Sequence, residues 1–108
     1  IYLEDKYDSK MDIFADELPA GKCIFTIINC DVERTKMLFQ GKIALSGGLD
    51  GTLLRYGTPE RVGQSVKDSI DLWAPGGGYL MNCDVSLDGA TAENLHVMFD
   101  TARNYMKY

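Results

Sequence analysis

The chain has little of what several functional classes require. Lys and Arg number 11 against 16 Asp and Glu, a net charge of −5, and the cations are scattered rather than gathered into a stripe. That balance excludes nucleic acid as a partner, because phosphate backbones select basic surfaces. Three cysteines, an odd number, do not make the disulfide framework of a small secreted domain. Reduced thiols and a cytoplasmic location are expected instead. No apolar run approaches the roughly 20 residues that span a bilayer, and no secretory leader is visible, so no membrane partner is expected. With a single histidine, His96, neither a Ser-His-Asp nor a Cys-His pair can be assembled. No GxGxxG or Walker loop is present, which leaves nucleotide binding without support. The first residue is Ile1 rather than Met, and a processed product or an excised piece is expected.

What is present suits one compact α/β domain over residues 1–108, with 45% hydrophobic and 25% charged residues. Ile1-Tyr-Leu3 reads as the end of a strand. Ser9 is placed to cap a helix over Lys10 to Leu18, whose apolar face is Met11, Phe14, Ala15 and Leu18. Cys23 to Ile28 is a nearly continuous β-branched run, the pattern of a strand covered on both faces. Asp31 caps a short helix that Gly41 ends, and Lys42 to Ser46 is the next strand, breaking at Gly47-Gly48. An eleven-residue loop follows. Thr58-Pro-Glu60 then opens a helix with Val62, Val66, Ile70 and Trp73 as its buried stripe. Gly78 to Met81 is another buried strand. Thr91 caps a last helix whose inner face is Leu95, Met98, Ala102 and Tyr105.

The order is a strand end followed by α-βα-βα-βα, which favours a parallel sheet. An eight-stranded (β/α)8 barrel takes about 250 residues, so these 108 residues are close to half of one. Function in such folds gathers at the carboxyl ends of the strands. Gly76-Gly-Gly78 precedes its strand and so reads as a turn on the opposite side. Gly47 and Gly48 lie on the functional side, where ligand contact and turn geometry are both open readings. Asp50 and Arg55 in the long loop are where a ligand's polar groups would arrive. Glu4 and Asp5 leave the first strand on the same side. Asn29-Cys30-Asp31 and Asn82-Cys83-Asp84 leave two further strands there. Two thiols could hold zinc, although no CxxC or HxxxH accompanies them and free cysteine is commonly a core residue. Cys23 lies at the opposite strand end, and His96 sits in the last helix, outside the sheet.

Gly47 to Val62 (GGLDGTLLRYGTPERV), Ile70 to Leu80 (IDLWAPGGGYL) and Ala92-Glu-Asn-Leu95 resemble the C-terminal part of the uroporphyrinogen decarboxylase family, which includes cobalamin-dependent methyltransferases. The resemblance covers nearly the whole chain and is strongest from Lys42 to Met98. It implies the C-terminal half of a TIM barrel, with three to four parallel strands alternating with helices. The decarboxylases act on tetrapyrrole carboxylates without a cofactor. A histidine that follows their last strand would fall at about Asp84 here. The methyltransferases resemble them in fold but use zinc, held by a His-x-Cys pair and a late cysteine, to take a methyl group from a corrinoid. By register Cys30 matches the first cysteine and Cys83 lies near the last, while Ile28 stands in the histidine's place.

The resulting expectation is a fragment of such an enzyme, leaning to zinc- and corrinoid-linked methyl transfer, with decarboxylation and a non-catalytic self-associating module as alternatives. Glu4 and Asp84 are the candidate catalytic residues, and Cys30 and Cys83 the candidate metal ligands. Gly47, Gly48, Asp50, Arg55 and Tyr56 are expected to close over a small molecule or a corrinoid protein. Unpaired sheet edges predict a homo-oligomer.

Overall fold

A computed structural model describes residues 1, 6–83 and 86–106. Its sheet has three parallel strands in sequence order: β1 (Ile24–Ile27), β2 (Ala44–Leu49) and β3 (Tyr79–Cys83). The helices are α1 (Met11–Glu17), α2 (Val32–Phe39), α3 (Gly51–Tyr56), α4 (Pro59–Trp73) and α5 (Ala92–Tyr105). The protein is thus an α/β fold with an open parallel sheet. Among the described residues no helix is long and apolar enough to cross a membrane.

Local chemistry sets most helix starts. Asp31 accepts from Arg34 N at 3.0 Å, Thr58 from Arg61 N at 3.4 Å and Thr91 from Asn94 N at 3.2 Å. Each cap satisfies a backbone donor that the first turn would otherwise leave unpaired, worth about 1 kcal/mol. Ser9 does not act this way. It lies in a single 3-10 turn, Asp8–Lys10, and Lys10 occupies the cap position of α1 with no side-chain bond. That helix ends at Glu17, one residue before the expected limit, because Leu18 precedes Pro19 and is extended at ψ 126°.

Strand alternation divides the sheet into two unlike faces. Phe25, Ile27, Leu45 and Tyr79 point one way and pack with Met11 and Ala15 of α1, Phe39 of α2 and Trp73 of α4. Leu49, on the same face, joins Leu54, Val62, Val66, Ile70 and Met98 in a second core beneath α3, α4 and α5. The other face bears Ile24 and Leu80, exposed at 47% and 46%. Among the described residues the helices pack on one face only; on the other, Ser46 at its centre is 8% exposed while Ile24 is open, which corrects the expectation of a first strand buried on both. The β-branched run over Cys23 to Ile28 is apolar on its open side too, and sequence alone does not tell that from burial.

Ile1 adds a further strand contact. Its ammonium donates to Ile24 O at 2.6 Å, and Thr26 N donates to Ile1 O at 2.9 Å. This is the bonding of a parallel neighbour placed beside Phe25. The rest of the expected strand end, Tyr2 and Leu3, lies outside the described residues.

Candidate functional site

The carboxyl ends of β1 and β2 border a cleft of about 390 Å³ lined by Ile27, Ile28, Asn29, Gly48, Leu49 and Asp50. Asn29 turns the chain out of β1 in the left-handed region, at φ 45°, a conformation Asn tolerates better than other side-chain-bearing residues. Asp50 caps α3 by accepting from Thr52 N at 2.8 Å.

The double glycine does not break the strand. β2 runs through Gly47 and Gly48 to Leu49, in register with Met81, Asn82 and Cys83. Tertiary partners hold it there. Tyr79 Oη donates to Gly47 O at 2.7 Å, and Ser69 Oγ of α4 donates to Gly48 O at 2.9 Å. Both glycines have positive φ, 122° and 87°, and a Cβ at Gly48 would lie 2.8 Å from the Trp73 indole. They are glycine because this conformation and this packing admit nothing larger. Gly47 is buried, while Gly48 reaches the cleft.

The expected loop from Gly47 to Tyr56 is accordingly a strand end and a short helix, not a lid. Arg55 and Tyr56 ride on α3 away from the cleft lining. The Arg55 guanidinium fills the space that a Cβ at Gly89 would need and lies 5.7 Å from the Tyr56 ring centroid. Tyr56 is 75% exposed. Asn94 of α5 fixes this arrangement by donating through Nδ2 to the carbonyls of Leu54 and Gly57 at 3.2 and 2.9 Å. The long loop held no signal of helix beyond Asp50 as a cap, and α3 is too short to persist without these contacts.

Cys30 and Cys83 are both half-buried but pack against different cores, Cys30 against the first and Cys83 against the second. Burial pushes the Cys30 thiol up, only partly offset by its hydrogen bond with Thr35. Among the described residues no group of three His, Cys, Asp or Glu side chains is placed to hold a metal. The described thiols alone therefore do not fit zinc. Glu4, Asp5 and Asp84 lie outside the described residues. His96 is exposed on α5, and Tyr105, expected on the inner face of that helix, is 38% exposed with its hydroxyl on Asp71 Oδ2 at 2.8 Å. Gly76, Gly77 and Gly78 have φ of 87°, 80° and 71° and form the turn into β3, as read from the sequence.

Sequence reasoning missed Ser69, Tyr79 and Asn94. Ser69 had a visible signal: it interrupts the apolar face of α4 between Val66 and Ile70, and a polar residue there needs a buried partner.

A raised thiol pKa leaves little thiolate at neutral pH. Alkylation of Cys30 by iodoacetamide should be slower than that of an unstructured cysteine peptide, with a pH midpoint displaced upward. Mass spectrometry of the labelled peptides reads this directly, and equal rates would contradict it.

Compared with known proteins, the chain matches no family, no curated protein and no solved structure.

Proposed function

We propose that this chain is the carboxyl-terminal part of a (β/α)8 barrel of the uroporphyrinogen decarboxylase kind, and that it supplies part of the rim of a small-molecule site. One observation carries the reading: a parallel sheet in sequence order with its described helices packed on a single face. Right-handed crossovers between successive neighbouring strands produce that layout in barrels. A doubly wound sheet would reverse its strand order and cover both faces.

The ligand would meet the carboxyl ends of β1 and β2, where Asn29 and Asp50 give the cleft its polar side chains. Within the family reading, the branch that needs no metal agrees better with the side-chain packing. Zinc-linked methyl transfer would require Cys30 and Cys83 together, and each is engaged with a separate core. The substrate class is then a polycarboxylate tetrapyrrole, with decarboxylation as the reaction of the whole enzyme.

Fluorescence titration of the chain with uroporphyrin, paired with elemental analysis for zinc, tests this. The expected result is a metal-free porphyrin complex, weakened roughly fivefold by Asn29→Gly, which keeps the left-handed backbone and removes one polar side chain of the cleft, about the worth of one hydrogen bond. Stoichiometric zinc that disappears in Cys30→Ser and Cys83→Ser would overturn it in favour of methyl transfer. Neither porphyrin nor zinc binding would remove the ligand-site reading altogether.

A further inference from the structure

The amino ends of the three strands border a second cavity, of about 470 Å³, at the opposite end of the sheet from the cleft. The turns that enter β1, β2 and β3 wall it, and Lys22 and Lys42 are its only charged lining residues. We propose that this cavity binds the phosphate group of a small phosphorylated molecule, or phosphate itself, with Lys22 and Lys42 as its cations. The proposal is independent of the half-barrel reading above.

Charge separates this cavity from the others. Asp50 lies in the carboxyl-end cleft, and Asp100 and Asp71 line two cavities along α4 and α5. Here no carboxylate lines the wall, in a chain with a net charge of −5. Lys42 is half-buried and Lys22 exposed. Among the described residues neither ammonium has an ion pair or a hydrogen bond. A half-buried cation is normally neutralised by a neighbouring acid, so an unpaired one beside an open cavity favours an anion from solution.

The walls are held in place before any ligand arrives. Gly21 N donates to Lys42 O at 2.7 Å, which joins the first turn to the second. Gln40 Nε2, at the end of α2, donates to Pro75 O and joins the second turn to the third. The backbone can be approached closely, since a Cβ at Gly21, Gly41 or Gly77 would meet nothing within 4 Å. The N–H groups of Gly41, Gly76 and Gly78 pair with no acceptor among the described residues.

These groups suit phosphate. Two ammonium point charges match its two negative charges, and no arginine fork lines the cavity to match a planar carboxylate. The volume is that of a small-ligand site and exceeds what phosphate alone fills. Ile24 and Ala44 are left to meet the body of an organic ester.

Amide NMR of the chain, titrated with inorganic phosphate and with phenyl phosphate at fixed ionic strength, tests the proposal. Saturable shifts are expected at Gly21, Gly41 and Gly76 to Gly78. Tighter binding of phenyl phosphate would assign the site to an ester, and equal binding to phosphate itself. Lys42→Gln should weaken binding about tenfold, the worth of one charged hydrogen bond, while Lys42→Arg should largely restore it. Lys22 and Lys42 belong to neither core, so far-ultraviolet circular dichroism should not change. Lys67→Gln, on α4 where Lys67 lies over the Tyr105 ring, should bind as wild type. No saturable shift at millimolar phosphate, or shifts centred on other lysines, would overturn the proposal. Full affinity in a variant carrying both Lys22→Gln and Lys42→Gln would do the same.

Discussion

Gly47→Ala should be the most damaging single-methyl change in the protein, lowering stability by about 3 kcal/mol or more. A Cβ there would stand 2.5 Å from the carbonyl oxygen of Ile27, closer than real Cβ atoms approach. That oxygen belongs to the backbone of the adjoining strand, so relief means separating β1 from β2 rather than turning a side chain. The backbone at φ 122° adds strain of its own, of order 1–3 kcal/mol for a residue with a Cβ. Small domains hold only 5–15 kcal/mol in total. Gly48→Ala should cost less, about 2 kcal/mol, because its collision is with the Trp73 side chain, although that ring is 5% exposed and has little room to move. Urea denaturation of the two variants gives both numbers. A loss below about 1 kcal/mol for Gly47→Ala would contradict this account, since a real strand collision costs at least as much as modest overpacking.

The second large effect belongs to Asn94, a side chain with 2% exposure. Its amide donates to the Gly57 carbonyl, which loses that donor in Asn94→Leu, while Leu54 O keeps the backbone N–H of Thr91 at 3.0 Å. An unsatisfied acceptor costs about 1–3 kcal/mol, so a loss of roughly 2 kcal/mol is expected. Thermal unfolding should then fall by roughly 8–16 °C for a domain of this size. Asn94→Asp is the informative companion. It keeps the shape but offers the carbonyls an acceptor in place of a donor, and it should be no better than leucine at neutral pH. Near-wild-type stability in both variants would show that the contact contributes little.

Much of the fold was legible because it is written in short-range chemistry. Asp31, Thr58 and Thr91 each cap a helix as their positions imply, and Val62, Val66, Ile70 and Trp73 form the buried stripe their spacing suggests. The glycine turn at 76–78 was equally readable. What failed was decided at long range. Gly47-Gly48 looks like a strand terminator, and nothing nearby reveals that Tyr79 and Ser69, 32 and 21 residues away, will hold its carbonyls. The layer count failed for a related reason: an apolar residue such as Leu80 gives the same pattern whether its face is covered or open.

The candidate site was legible in position but less so in composition. Asn29, Gly48 and Asp50 do border a cleft at the carboxyl ends of the strands. Cys30 and Cys83 also leave strands there, yet each thiol packs into a different core. Strand exit points tell which residues share an end of the sheet. They do not tell which way a side chain turns once the strand has finished.

The tie between Asn94 and the end of α3 has a dynamic meaning beyond its strength. A helix of six residues lies below the length at which helical order sustains itself in water, so α3 borrows its order from α5. The two then open and close as one cooperative unit, although Asn94 lies 37 residues from Gly57 in sequence. Fraying of α5 would release Asp50 and Arg55 together and soften one wall of the cleft. In this protein the rigidity of the rim is set from the last helix, not from the strands on which the rim stands.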